Sequence, residues 1–292
     1  MIDATAVPSP VKRLAHIGSR AYGLLTAKGR LLPSFLICGG QRCGTTSLYR
    51  ALAAHPVVRK AVLHKGVHYF DLNYHRGIDW YRAHFPTVRA AERSRDRYGM
   101  AAQTFESSPY YLYHPLAAGR IGADLPDVRA VVLVRDPVER AYSQHAHELA
   151  RRFEPEASFA RALELEPTRL AGEEERLIAD PTYHGFSHQH HAYRGRGEYA
   201  THLERLAGAL GREQILVVES ERFFSAPGDV YDEVLAFLRL PRLDRPPFAR
   251  HNARPRPAPL DRILRAELSA HYAPHDARLA AWLGRPPLWR AH

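Results

Sequence analysis

The chain of 292 residues is 45% hydrophobic and 25% charged, which are ordinary proportions for a globular protein. This length fits one domain with appendages, or two domains at most. We expect no membrane-spanning helix and no secretory signal, because no run of eighteen apolar residues occurs and residues 1–33 lack a continuous apolar stretch. The only two cysteines, Cys38 and Cys43, exclude a disulfide-stapled secreted scaffold and favour a reduced, cytoplasmic protein.

The net charge is +10, from 41 basic and 31 acidic residues, and all but four of the basic residues are arginine. A GC-rich coding genome is one explanation of this composition. The other is an anionic ligand, such as a phosphate, a sulfated glycan, a nucleic acid or an anionic membrane. Because the arginines are scattered and no basic block reaches six residues, we expect no nucleic-acid partner.

Residues 1–33 are predicted to form an N-terminal appendage, and residues 34–292 the main domain. Apolar residues at Val11, Leu14, Ile17, Leu24 and Leu25 favour a short basic amphipathic helix. Such a helix either packs on its own domain or makes a peripheral contact with a membrane surface.

Short apolar runs predict buried parallel strands at residues 34–38, 100–105, 128–134 and 214–218. Helical patterns occupy residues 45–54, 136–151, 230–238 and 260–284. Strands that alternate with helices predict an α/β fold, a doubly wound parallel sheet flanked by helices. Residues 154–200 are expected to form helical excursions and a long loop, and the Pro-rich residues 241–259 a linker.

A glycine-rich loop follows the first strand, with the sequence Gly39-Gly40-Gln41-Arg42-Cys43-Gly44-Thr45-Thr46. Gly39 and Gly44 have the spacing of a Walker A loop, whose backbone N–H groups bind phosphate beside a helix N-terminus. Thr45 stands where that loop has the Lys that contacts nucleoside triphosphates, which weakens a kinase or ATPase interpretation. The cation inside the loop is Arg42 instead. An ordinary Gly-rich turn is the alternative.

A second motif follows the strand at 128–134, at the end where open α/β sheets bind ligands. Arg135 offers a bidentate fork that suits phosphate, and Ser143 lies two helical turns after Asp136 on the same face. Arg135 and Ser143 together predict a second phosphate site. The alternative is that Arg135 pairs with Asp136 or Glu139 and that Ser143 is a surface residue.

As a pair, the two motifs resemble those of sulfotransferases that use 3′-phosphoadenosine 5′-phosphosulfate (PAPS), which have a P-loop-like α/β fold. The resemblance implies that the first loop binds the 5′-phosphosulfate, that Arg135 and Ser143 bind the 3′-phosphate, and that no metal is required. Tyr199 and Arg250 are predicted to cover the nucleotide. The predicted donor-binding residues are Gln41, Arg42, Cys43, Gly44, Thr45, Thr46, Ser47, Arg135, Ser143, Tyr199 and Arg250.

Further segments resemble the heparan sulfate sulfotransferase subgroup, at residues 65–71, 74–81, 105–111 and 197–206. The resemblance implies a hydroxyl acceptor on a carbohydrate, a glycolipid or another small molecule. The chain departs from the subgroup at three positions. Arg42 replaces a frequent Lys, Ser107 replaces a Lys that faces the acceptor, and Gly66 replaces the catalytic Glu of a Lys-Glu-x-His segment.

Sulfuryl transfer is an in-line displacement in which catalysis is mainly positioning and electrostatics. Arg42 is predicted to neutralise the leaving oxygen. With Gly66 in place of Glu, His68 is the predicted base, because its ordinary pKa of about 6.5 suits proton transfer near neutrality, and Asp71 is predicted to fix its tautomer. Glu106 is the alternative base.

Two other functions stay open on the sequence alone. A P-loop kinase would bind ATP with magnesium, whereas a catalytically impaired relative, suggested by Gly66, would bind adenosine bisphosphate without turnover. The histidines at His188, His190 and His191 lack a nearby carboxylate or cysteine in sequence, so we expect solvated side chains and no metal site.

Overall fold

The computed structural model describes residues 18–62, 65–249 and 259–291. Within them, five strands form one parallel sheet, namely β1 (Phe35–Gly39), β2 (Val58–Lys60), β3 (Gln103–Ser107), β4 (Arg129–Val134) and β5 (Ile215–Glu219). All five residues of β1 are buried, which explains an apolar run in place of an alternating pattern. The predicted parallel α/β sheet is confirmed.

The strand order β2-β3-β1-β4-β5 places β1 between β3 and β4. Ile37 of β1 is paired with Ser107 of β3 on one side and with Val131 of β4 on the other. After β1, the chain forms β2 and β3 on one side of β1. It then crosses over and forms β4 and β5 on the other side. The loops after β1 and β4 therefore meet at a topological switch point, where α/β sheets bind ligands.

Helices cover both faces of the sheet. A helix α1 is described over residues 18–25. The others are α2 (Thr45–Ala53), α3 (Ile78–Arg82), α4 (Val88–Glu92), α5 (Arg95–Tyr98), α6 (Ala117–Asp124), α7 (Pro137–Ala150), α8 (Phe159–Leu170), α9 (Glu173–Ala179), α10 (Phe186–His190), α11 (Tyr199–Leu210), α12 (Ser220–Ser225), α13 (Pro227–Phe237) and α14 (Arg262–Leu283). Asp136 caps α7 as predicted, since its carboxylate accepts hydrogen bonds from the N–H groups of Val138 and Glu139.

Three parts of the fold differ from the sequence analysis. The strand predicted at 100–105 lies at Gln103–Ser107, and the three-residue strand β2 was not predicted, because only Val58 of it is buried. The helical excursions predicted within 154–200 are α8, α9 and α10, and they leave less loop than expected. Helix α8 is stabilised by a second apolar cluster, in which Phe159 and Leu163 pack with Tyr193 and Tyr272.

The described part of the appendage packs on the main domain. Gly23 of α1 lies so close to Ala83 that a Cβ there would be 2.6 Å from the Ala83 carbonyl oxygen. Arg30 donates a hydrogen bond to the Phe85 carbonyl at 2.6 Å. Val11, Leu14 and Ile17, which carried the amphipathic prediction, lie outside the described residues. Of the described helices, none combines the length and apolar character needed to cross a bilayer.

Candidate active site

The first loop (residues 39–46) joins β1 to the N-terminus of α2. Arg42 and Gly44 have left-handed backbone conformations, with φ of 67° and 85°, and Gly44 is the N-cap of α2. Glycine adopts this conformation without steric cost, which allows the chain to turn directly into the helix. The loop is fixed by hydrogen bonds from Gly40 N–H to the Leu133 carbonyl and from the Ser220 hydroxyl to the Cys43 carbonyl. The result is a rigid turn beside the helix N-terminus, a suitable site for an anion.

The second motif lies directly beside this loop. Arg42 Nε donates a hydrogen bond to Ser143 Oγ at 3.1 Å, and Arg42 Nη1 lies 3.5 Å from His147 Nδ1, one turn further along α7. The guanidinium of Arg135 lies 3.7 Å from the Glu139 carboxylate and 3.5 Å from the Arg42 carbonyl oxygen. The structure therefore brings together Arg42, Arg135 and Ser143, and the Arg135–Glu139 pair of the alternative interpretation is present as well.

The buried side chain of Tyr199 contacts both motifs. Its hydroxyl donates to the Arg135 carbonyl at 2.9 Å and lies 3.6 Å from Cys43 Sγ. Tyr199 is only 1% exposed. In this structure it therefore packs under both loops, and its ring is not placed to lie over a nucleotide as predicted. Burial raises the pKa of the Cys43 thiol to about 11, which leaves it protonated and unreactive at neutral pH.

The side chain of Gln41 is used inside the protein. Its amide donates to Glu148 Oε1 at 2.9 Å, and Arg196 donates to its Oε1 at 2.7 Å. Glu148 in turn contacts His190 at 3.0 Å. Gln41 therefore positions the first loop through its side chain.

A lysine from another segment lies at the first loop. Lys65 Nζ donates to Thr46 Oγ1 at 3.0 Å and to Thr45 Oγ1 at 3.2 Å. Burial, together with the positive charge of Arg50, lowers the pKa of Lys65 to about 8. The cation that the loop lacks at Thr45 is thus supplied from twenty residues downstream.

The segment from Lys65 to His68 is bound to the end of β3. Ser107 N–H donates to the Lys65 carbonyl at 3.0 Å, and the Glu106 carboxylate accepts the Val67 N–H at 2.6 Å. The same carboxylate accepts hydrogen bonds from Ser108, Tyr81 and Tyr111. Glu106 is fully buried, with all of these bonds satisfied, and burial raises its pKa. Glu106 therefore supports the Lys65–His68 segment, which argues against it as the alternative base.

His68 and Asp71 form the predicted pair. His68 Nδ1 lies 2.8 Å from Asp71 Oδ2, and Asp71 is 3% exposed whereas the His68 side chain is 37% exposed. Burial lowers the pKa of His68, but the charge and hydrogen bond of Asp71 outweigh that effect and raise the pKa to about 9. The imidazole is therefore mostly protonated at neutral pH, unlike the free side chain assumed from the sequence.

Gly66 has no room for a side chain. A Cβ at this position would lie 2.7 Å from the Ser107 carbonyl oxygen and 2.8 Å from Ser108 Oγ. The same Cβ would lie 3.3 Å from His68 Nε2. The close approach to β3 explains why glycine occupies the position where the resemblance places a glutamate.

The structure therefore brings most of the predicted site residues together and adds one. Thr45, Thr46 and Ser47 begin α2 as predicted, and Arg250 lies outside the described residues. Lys65 was given no role, although its being one of four lysines in an Arg-rich chain was an available signal. The solvated histidines were predicted wrongly, since His188, His190 and His191 are all buried, with hydrogen bonds to Tyr110, Glu148 and Phe153.

Two known proteins are similar to most of this chain. Heparan sulfate glucosamine 3-O-sulfotransferase 3A1 of Mus musculus is 31% identical over 220 residues, which cover 75% of this chain and 49% of the relative. Bifunctional heparan sulfate N-deacetylase/N-sulfotransferase 3 of Homo sapiens is 29% identical over 218 residues, covering 71% of this chain and 22% of the relative. The chain thus spans less than half the length of either relative.

One solved structure is similar to this chain over almost the whole length of the solved protein. The crystal structure of a sulfotransferase from Alicyclobacillus acidocaldarius has 29% sequence identity and a TM-score of 0.61, and the match covers 88% of this chain and 98% of that one. A family model described as a sulfotransferase domain matches residues 32–246. That match spans both loops, the Lys65–His68 segment and Tyr199, and the resemblance seen in the sequence is confirmed: the chain belongs to the sulfotransferase family.

Proposed function

We propose that the protein transfers a sulfuryl group from PAPS to a hydroxyl of a carbohydrate acceptor. The observation that carries the proposal is the contact of the two motifs at the ends of β1 and β4, where Arg42 meets Ser143. Two cationic sites on adjacent strands suit a donor that bears anionic groups at both its 3′ and 5′ positions.

The residues present fit such a donor. Arg42, Lys65 and Arg135 supply positive charge, and the start of α2 supplies backbone N–H groups. Thr46 stands where a Walker A loop has the hydroxyl that binds Mg²⁺, and here the Lys65 ammonium donates to that hydroxyl. A fixed ammonium in the position of the metal favours metal-free sulfuryl transfer over a kinase reaction.

PAPS supplies an activated sulfuryl group, bonded through oxygen to its 5′-phosphate. In the proposal, Arg135 and Ser143 bind the 3′-phosphate, and Arg42 and Lys65 neutralise charge that develops on the leaving oxygen. His68 accepts the proton of the acceptor hydroxyl at Nε2, while Asp71 holds Nδ1. Arg250 remains a proposed contact on the nucleotide side.

The acceptor class rests on the relatives. Their names describe sulfotransferases of heparan sulfate and of its glucosamine, so a carbohydrate hydroxyl is the proposed acceptor, with glycolipids included. Ser107, at the end of β3, replaces the lysine that the resemblance places towards the acceptor, which favours an acceptor with fewer anionic groups than heparan sulfate. A cytoplasmic location is part of the proposal, because Cys38 and Cys43 are free thiols.

Thermal unfolding with nucleotides tests the donor. Adenosine 3′,5′-bisphosphate is expected to raise Tm without magnesium, whereas ATP with or without magnesium raises it far less. Equal stabilisation by ATP would contradict the proposal. Labelled PAPS offered with a panel of neutral and acidic glycans and glycolipids then tests transfer, and bisphosphate binding without turnover on the whole panel would indicate a non-catalytic relative.

A further inference from the structure

The C-terminal helix brings two histidines against a carboxylate outside the site described above. His271 and His275 lie four residues apart on α14, and therefore on one face of it. Glu198, the residue just before α11, contacts both: its Oε1 lies 3.3 Å from His271 Nε2 and 3.9 Å from His275 Nε2. Three side chains with metal-binding chemistry thus converge from two separate elements.

The spacing is close to that of a metal site. A tetrahedral ion with bonds of about 2.0–2.1 Å holds its ligand atoms about 3.3 Å apart. One ligand atom from each of Glu198, His271 and His275 lies within 4.8 Å of the other two. All three side chains are partly exposed, which leaves them room to rotate toward one ion.

The hydrogen bonding of these histidines is incomplete. His271 Nε2 is buried and makes no hydrogen bond within the described residues, because its 3.3 Å contact with Glu198 Oε1 is not aligned as one. A ligand bound to this nitrogen would complete its bonding. His275 Nδ1 is likewise buried without a hydrogen-bond partner among the described residues.

We propose that Glu198, His271 and His275 bind one Zn²⁺ ion, with water as the fourth ligand. Two imidazoles and one carboxylate suit zinc, whereas Mg²⁺ and Ca²⁺ prefer all-oxygen sites. The ion would tie α14 to the start of α11, directly beside Tyr199, which supports both donor-binding loops. The role is therefore structural, and it does not depend on the proposed reaction.

Zinc binding is measured on the full chain without a histidine tag, after treatment with EDTA and dialysis. Isothermal titration with Zn²⁺ is expected to show one saturable site. Tm is expected to rise by at least about 4 °C at a hundredfold excess over Kd. Absence of saturable one-to-one binding would overturn the proposal.

Variants assign the ion to these residues, since the chain has 18 histidines. H271A and E198Q are each expected to weaken Zn²⁺ binding at least tenfold, whereas H184A, at an exposed histidine elsewhere, leaves it unchanged. Equal binding by H271A and the wild type would refute the assignment. Co²⁺ gives a test that needs no variant, because a tetrahedral site produces intense visible absorption and a six-coordinate surface site does not. A weak six-coordinate spectrum would also count against the site.

Discussion

Arg42 and Ser143 are 101 residues apart in sequence, yet Arg42 Nε donates a hydrogen bond to Ser143 Oγ at 3.1 Å. The resemblance to PAPS-dependent sulfotransferases places these two residues at opposite ends of PAPS. Their contact shows that the guanidinium lies between the two anion-binding motifs and within reach of both. Which anionic group Arg42 serves is therefore a question that variants can decide.

Arg135→Ala is expected to weaken adenosine 3′,5′-bisphosphate binding about ten- to hundredfold, because a charge-assisted hydrogen bond contributes about 1.5–3 kcal/mol. Arg42→Ala is expected to lower kcat more than bisphosphate affinity, because its charge is needed when the leaving oxygen becomes negative. Calorimetry and single-turnover transfer measure the two effects, with the exposed Arg89→Ala as a control. An unchanged single-turnover rate in Arg42→Ala, with weakened binding, would place Arg42 at the 3′-phosphate instead.

Lys65→Met removes the ammonium at Thr45 and Thr46 and keeps the apolar stem. Bisphosphate affinity at pH 7 is expected to fall at least tenfold. In the wild type, affinity should also fall as pH rises through about 8, because the neutral amine no longer attracts an anion. Lys60→Met is the matched control, since Lys60 is exposed at the end of β2. Wild-type binding that is independent of pH between 7 and 9.5 would exclude Lys65 from the donor site.

The parts of the site that sequence reasoning found are those encoded locally. A buried strand, a glycine loop and a capped helix are contiguous in the chain, so residues 39–46 and 135–143 could be recognised from their own patterns. Lys65 and Glu106 could not be assigned in this way. The role of Lys65 depends on β3 holding its segment beside α2, and the role of Glu106 depends on four partners that only the folded chain brings together.

The same reasoning explains the histidines. His188, His190 and His191 belong to a polar stretch that looks solvated, but they are buried and an aromatic ring packs against each of them. Glu198 and the histidines of α14 are 73 and 77 residues apart along the chain, by the difference of their residue numbers. A cluster of that kind is visible only after α11 and α14 have packed together.

The pH profile tests His68 as the base. A general base must be neutral and Lys65 must be charged, so kcat/KM for the acceptor at saturating PAPS is expected to have a rising limb below about pH 8, from His68, and to fall above about pH 9. His68→Ala should remove this limb and slow transfer about 10²–10⁴-fold, whereas the exposed His75→Ala should do neither. A rate that His68→Ala leaves untouched would remove His68 from the mechanism.

Asp71→Asn removes the negative charge of the carboxylate and keeps the shape of the side chain. Without the negative charge, the pKa of His68 is expected to fall by more than about one unit, which moves the limb to lower pH. In the wild type the raised pKa also stabilises the fold, fully below about pH 6.5, with loss of that contribution as pH rises through about 9. NMR titration of the His68 ring measures the shift, and a titration unchanged by Asp71→Asn would contradict this account.

Gly66 provides a test of whether the protein is an impaired enzyme or one that works without the glutamate. Gly66→Glu would restore the carboxylate that the resemblance places there, but its Cβ would lie 2.7 Å from a backbone carbonyl of β3. Overpacking of this kind typically costs about 1–3 kcal/mol, so both Gly66→Ala and Gly66→Glu are expected to lower Tm, and neither to raise kcat. Gly208→Ala is the control, because a Cβ on Gly208 in α11 meets nothing within 4 Å and should stabilise the helix.

A tenfold gain in kcat for Gly66→Glu, absent in Gly66→Ala, would contradict this expectation. It would show that the segment can move to accept the larger side chain and that the carboxylate is a better base than His68. A loss of kcat in both variants would instead show that His68 depends on the tight approach of Gly66 to β3.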